Sequence, residues 1–248
     1  MNISFEIVPR NWAAFSQQYE FVKSLGNAVN IINVPDIQRF PIRSWEVASH
    51  VDKACHTFIP HFRAIDFKLG DDKLFNIIEA HQLQQLLLVS GDPPDGLSRQ
   101  FYNTSVIEMI AAVKRHYPAL KVYAGFDPHR NGLQAECEYI QRKIDAGAIG
   151  FFSQPFYDER MIDIYVEQMQ NVECYIGLSP ITTKASQNYW EVKNNVRFPQ
   201  YFQPDYQWQI DFGNRVLQRA QQEGFNVYFM PIKIDLKQYF SQLNLPTN

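Results

Sequence analysis

The chain has 248 residues, of which 46% are hydrophobic, 20% charged and 15% aromatic, with a formal net charge of -3. This balance excludes a disordered chain, and it leaves neither a basic footprint for nucleic acid nor a polybasic face for a membrane surface. Cys55, Cys137 and Cys174 lie far apart and form no CxxC pair, so neither a disulfide framework nor a metal site is expected.

Met1 to Pro9 shows no basic start followed by an apolar stretch, and no apolar run approaches the ~20 residues that cross a bilayer. A reducing cytoplasm is therefore the expected compartment. From the first residues onward one pattern recurs: a short apolar, β-branched run ends in polar, Gly or Pro residues, and an amphipathic stretch follows. The runs are Ile3–Val8, Ala28–Val34, Thr57–Phe62, Gln85–Ser90, Lys121–Phe126, Ile149–Ser153, Glu173–Leu178 and Asn226–Met230. Nearly continuous apolar runs of this length read as strands buried on both faces of a parallel sheet.

The segments between them predict helices. Trp12–Leu25 and Ser44–Cys55 follow the first two strands, and Asp72–His81 starts on acidic residues that suit the positive end of a helix dipole. Thr104–His116 places Val106, Ile107, Ile110, Ala111 and Val113 at helical spacing. Leu133–Ala146 stops at Gly147, Glu159–Gln170 follows the sixth strand, and Tyr206–Glu223 stops at Gly224. Residues 181–204 form a long excursion after strand seven, with a short helix near Ala185–Asn194. Repeated strand–helix alternation in one chain of this length predicts a single-domain (β/α)8 TIM barrel over residues 1–248. A doubly wound open sheet is the alternative, weakened by the absence of GxGxxG after any strand.

Barrels place their chemistry at the C-terminal ends of the strands. Those ends carry Glu6, Asn33, His61, Asp92, Asp127 with His129, Gln154 and Lys233. Asp and Asn at such positions often only cap the next helix, so each residue alone has a structural reading as good as its functional one. Glu6 is the sharpest case. It stands in Ser4-Phe5-Glu6-Ile7-Val8-Pro9, where partial burial raises a carboxyl's pKa and makes it a proton donor near neutral pH. The bland alternative is an ion pair with Arg63. Asp92 follows an apolar strand in Gly91-Asp92-Pro93-Pro94, where two prolines stiffen the loop; a capping Asp in a proline turn is the competing reading.

These residues also carry a family resemblance. Ser4-Phe5-Glu6 to Pro9, Pro60-His61, the strand ending in Gly91-Asp92-Pro93-Pro94, Arg142-Lys143-Ile144-Asp145-Ala146-Gly147-Ala148, Ser153-Gln154-Pro155-Phe156-Tyr157-Asp158 and Gly177-Leu178-Ser179-Pro180 occur in order along most of the chain. In this they resemble the methylenetetrahydrofolate reductases. The resemblance implies a flavin (FAD or FMN) across the barrel mouth, NAD(P)H as reductant and 5,10-methylenetetrahydrofolate as the acceptor that becomes 5-methyltetrahydrofolate, in one-carbon metabolism and methionine biosynthesis. It implies Glu6 as proton donor, and Asp92 as the carboxylate between flavin and pterin, with Gly91 beside it. Asn33, His61, His129, Arg142 and Lys143 correspond to flavin contacts, and Gln154, Phe156 and Lys233 to substrate contacts. On charge pattern alone Arg142 and Lys143 read as a solvated helix face.

Departures from the pattern are specific. Asn33-Val34-Pro35-Asp36-Ile37-Gln38-Arg39 replaces a Gly-rich segment after strand two, Arg63 is an unfamiliar cation near the site, and the loop from Phe126 to Gly132 is short. They keep two alternatives open: a flavin-free folate barrel acting as methyltransferase or direct nicotinamide-dependent reductase, and a partner-dependent subunit of a redox complex. A homo-oligomer is the family-based expectation.

Overall fold

The computed structural model describes residues 1–92 and 100–246. Eight parallel strands, β1 (Ile3–Glu6), β2 (Ile31–Val34), β3 (Thr57–Arg63), β4 (Gln85–Val89), β5 (Lys121–Phe126), β6 (Gly150–Pro155), β7 (Glu173–Leu178) and β8 (Asn226–Phe229), form a closed barrel in sequence order. Closure runs through β1 and β8, with Ser4 opposite Tyr228 and Phe5 opposite Phe229. The TIM barrel expected from the alternation is therefore the observed architecture, and the open sheet is not.

Helices α1 (Trp12–Ser24), α2 (Lys73–Ala80), α3 (Val106–His116), α4 (Leu133–Asp145), α5 (Glu159–Gln168), α6 (Lys184–Asn194), α7 (Tyr206–Glu223) and α8 (Leu236–Phe240) complete the chain. Side-chain caps fix several of their starts: Asn11 for α1, Asp158 for α5, Thr183 for α6 and Asp205 for α7. Ser105 and Glu108 form a capping box at α3, which begins two residues later than Thr104. The stretch expected as a helix over 44–55 is instead a 3-10 helix, Ser44–His50. Ser44, Val47 and Ser49 are weak helix formers, and the short run tightens rather than extending.

Alternation along each strand sorts the core into two layers. Residues such as Phe5, Ile32, Phe62, Leu88, Phe151 and Phe229 face the helices in the main core. Ile31, Ile59, Leu87, Tyr123, Phe152, Tyr175, Tyr228 and Met230 fill the barrel interior. Phe152 stacks on Tyr175 at 4.1 Å and meets Tyr123 and Tyr228 edge-on at 5.4 and 5.2 Å. Such offset and edge contacts are the favoured aromatic geometries, and they make a stiff floor beneath the C-terminal rim. The excursion after β7 has its own apolar centre of Tyr157, Ile181, Trp190, Val196 and Phe202. The Tyr157 hydroxyl ties it to the barrel by donating to the Ser179 carbonyl at 3.0 Å. Among the described residues no helix is long and apolar enough to cross a membrane.

Candidate functional site at the barrel mouth

Glu6 is the last residue of β1, opposite Asn33 of β2. Its neighbours Phe5 and Ile7 are fully buried toward the helices, so strand alternation turns Ser4 and Glu6 inward. Burial pushes the Glu6 carboxyl up to about 7, against an opposing hydrogen bond from Tyr228. The Tyr228 hydroxyl donates to Glu6 Oε2. No ion pair to Arg63 forms; Arg63 is engaged elsewhere. Tyr228 is a residue of this site that sequence reading missed. Its inward parity with Asn226 and Met230 was a signal, but only barrel closure brings β8 beside β1.

A buried polar chain runs beside Glu6. The Asn33 amide donates to Ser4 Oγ, and its carbonyl oxygen faces His61 Nε2 at 3.0 Å. His61 must then donate from Nε2, which leaves Nδ1 as an acceptor with no partner among the described residues. Burial depresses the imidazole to about 3, so the ring is neutral at physiological pH. Asp36 is buried and paired with Arg43. It also accepts from Ser44 N–H at 3.3 Å, and Ser44 Oγ donates to the His61 carbonyl at 2.6 Å. The loop that departs from the family pattern thus buttresses the β2–β3 end of the mouth.

Asp92 is exposed three residues beyond β4, on the same rim as Glu6. Arg63 reaches across from β3, donates to the Asp92 carbonyl and lies 3.6 Å from Asp66 Oδ2. Gly91 takes φ +82°, and a Cβ there would stand 2.7 Å from Arg63 Nε. Only glycine lets the β4 loop close onto that guanidinium. The unfamiliar cation is therefore a clasp for the Asp92 backbone. Pro93 and Pro94, expected to stiffen this loop, lie outside the described residues.

The other expected residues divide. Gln154 is exposed on β6, with no side-chain partner among the described residues, and Lys233 is exposed beyond β8 with φ +55°. Asp127 serves its own turn by accepting from His129 N–H at 2.9 Å, while His129 Nε2 is bound to the Pro155 carbonyl at 2.8 Å. Lys143 is buried and donates to the Gly125 carbonyl at 2.7 Å; burial lowers its amine to about 8. Arg142 stands on the exposed side of the last turn of α4, over the Tyr139 ring. Phe156 corrects the sequence reading outright. It is fully buried in the main core against Phe126 and Tyr165, at 6.1 and 5.7 Å, and does not face the mouth. An irregularity in the β6–β7 register between Phe152 and Pro155 shifts the alternation just ahead of it.

A flavin would require free cations or N–H donors for its phosphate groups. Asn33 is fully buried with both amide atoms engaged, His129 and Lys143 are spent on carbonyls, and Arg142 points to solvent. Of the five positions that correspond to flavin contacts, His61 and His129 each keep an Nδ1, and Arg142 an exposed guanidinium, without a hydrogen-bond partner among the described residues. Asn33 and Lys143, as placed, do not fit that group, and Arg142 is the cation of the set that faces solvent. Among the described residues no cluster of His, Cys, Asp or Glu is arranged to hold a metal ion.

Comparison with known proteins narrows the reading. A solved protein from Clostridium thermocellum, described as binding two copies of 5-methyl-5,6,7,8-tetrahydrofolic acid, superposes with a TM-score of 0.67 at 12% identity, covering 98% of this chain and 93% of that one. Oxaloacetate acetylhydrolase superposes with a TM-score of 0.59 at 10% identity, covering 97% and 78%. At such identities the likeness is one of fold, and the barrel alone does not choose a chemistry. The 5,10-methylenetetrahydrofolate reductase of Escherichia coli (strain K12) is 25% identical over 148 residues, 56% of this chain and 49% of its own length. This chain thus aligns with about half the length of that relative. The methylenetetrahydrofolate reductase family model matches residues 71–211, a stretch that contains Asp92, His129, Arg142, Lys143 and Gln154 but not Glu6, Asn33, His61 or Lys233. With more than half of its length accounted for in this way, the chain belongs to the methylenetetrahydrofolate reductase family.

Proposed function

We propose that this protein reduces 5,10-methylenetetrahydrofolate to 5-methyltetrahydrofolate with hydride drawn from NAD(P)H. The observation that carries the reading is Glu6, an inward carboxyl at the mouth raised to about 7 and held through one oxygen by Tyr228. The substrate holds its one-carbon unit as a methylene bridge between N5 and N10. Glu6 gives its proton to N10 as the bond from N10 to that carbon breaks. The carbon remains on N5 as an iminium, and hydride addition makes it a methyl group. A carboxyl protonated up to about pH 7 suits this step, because a general acid works best with a pKa near the operating pH. Asp92 and Gln154 on the same rim meet the donors and acceptors of the pterin edge, and Lys233 is a basic substrate contact. The family match and the methyltetrahydrofolate bound by the Clostridium thermocellum protein both support a folate in this role.

The family's usual carrier between nicotinamide and folate is a flavin, FAD or FMN. A second reading omits it, with hydride passing straight from the nicotinamide to the folate. The engagement of Asn33, His129 and Lys143 with the protein itself favours that version. The test is purified protein mixed with 5,10-methylenetetrahydrofolate and NADH or NADPH. Nicotinamide oxidation matched by methyltetrahydrofolate formation is expected. Flavin absorbance bleached by the nicotinamide identifies the carried route, and turnover by a colourless protein identifies the direct one. A protein that neither binds the folate in calorimetry nor oxidises the nicotinamide refutes the reading.

A further inference from the structure

Tyr228 belongs to β8 and is buried in the barrel interior, with its ring edge-on to Phe152 at 5.2 Å and 87°. Register places it opposite Ser4 of β1 and beside Gly177 of β7. Its hydroxyl is committed to Glu6 Oε2. The groups around that carboxyl are Tyr228 from β8, Ser4 from its own strand, Asn33 from β2 and, beyond Asn33, the neutral His61 from β3. No ion pair to Glu6 forms among the described residues. Among the described residues the phenol is thus the one donor to this carboxyl, on a ring that the aromatic floor holds in place.

We propose that Tyr228 is the positioning residue for the proton donor: by holding Glu6 Oε2 from below, it leaves Oε1 as the oxygen that carries and delivers the proton toward the mouth. The proposal rests on the role of Glu6 given above and adds the residue that sets its orientation and acidity. A phenol donating to a carboxylate favours the ionised form, because the hydrogen bond is stronger to the charged acceptor. Tyr228 therefore restrains the upward push of burial and keeps the acid within reach of neutral pH. It also steadies the carboxylate left behind once the proton has gone. Burial keeps the acid protonated and a neutral phenol holds it from below, an arrangement that a cation at the same place would spoil by holding Glu6 ionised.

The test is Tyr228→Phe, which keeps the ring and removes only the donor. In protein labelled with 13C at the glutamate carboxyl, the Glu6 resonance, assigned by its loss in Glu6→Gln, is followed against pH. Its titration midpoint is expected to rise by about 1 pH unit or more in Tyr228→Phe. The high-pH limb of kcat for methylene reduction should move up with it, while the folate KM stays nearly unchanged. An unchanged Glu6 midpoint in a folded Tyr228→Phe protein overturns the proposal. If that variant does not fold, wild-type protein decides the matter. A tyrosine ultraviolet difference signal should appear as pH passes through about 7 and be absent from Glu6→Gln, and its absence from wild type also overturns the proposal. Both titrations are read without turnover, so they stand apart from any failure of the folate assignment.

Discussion

Replacing Glu6 by Gln tests the electrostatics of the mouth through stability alone. Burial raises the Glu6 carboxyl from 4.5 to about 7, so the folded state binds this proton more tightly than the unfolded chain does. The stability tied to the neutral carboxyl is fully present below pH 4.5 and is lost as pH rises through 7. At about 1.4 kcal/mol per pH unit, that shift corresponds to a loss of about 3 kcal/mol. Gln has nearly the same shape and cannot ionise. Urea denaturation of wild type and Glu6→Gln at pH 4.5 and pH 8 isolates the term, because the other titrating groups are common to both proteins. Relative to wild type, Glu6→Gln should gain about 3 kcal/mol on going from the lower pH to the higher. Two stability curves that run parallel across this interval would mean that Glu6 titrates alike in the folded and unfolded chains and that burial does not raise it.

Three other outcomes follow from the same geometry. His61, buried with its imidazole depressed to about 3, should show no change in its 15N ring resonances between pH 5 and pH 8; a midpoint near 6.5 would mean that the ring is solvated and the Ser4–Asn33–His61 chain is not buried. Gly91→Ala forces an L side chain into a left-handed backbone and against Arg63 Nε, and should cost about 1–3 kcal/mol in chemical denaturation, with a loss no greater than a surface substitution contradicting the clasp. Phe156→Ala removes a ring from the main core and should cost about 3–5 kcal/mol while leaving folate affinity, measured by calorimetry, within twofold of wild type, whereas a large loss of affinity without loss of stability would restore Phe156 to the mouth.

The architecture was legible in the order of residues along the chain. Short, continuously apolar strands need cover on both faces, and their alternation with helix-length segments left the closed barrel as the favoured solution. It also placed Glu6 and Asp92 on one rim, because every parallel strand presents its C-terminal end there. Local chemistry was legible where it acts over a few residues, as at Gly147, Gly224 and the start of α2 at Asp72. Element edges were less legible. The apolar Ala28 and Val29 extended the expected second strand backward, yet Gly26–Ala28 is a 3-10 turn entered through a positive-φ glycine.

Which polar atoms are already engaged emerges only from the folded barrel. Asn33, His129 and Lys143 all occupy positions that suggest ligand contacts, and each is taken up by partners 18 to 29 residues away along the chain. Phe156 changed sides through a register irregularity that no composition signals. Tyr228 reached Glu6 across 222 residues, because the ring of strands closes between its first and last members. Strand periodicity is a local property and is written in neighbouring residues. The pairing of side chains across a closed barrel depends on register and curvature, which arise only when all the strands are assembled.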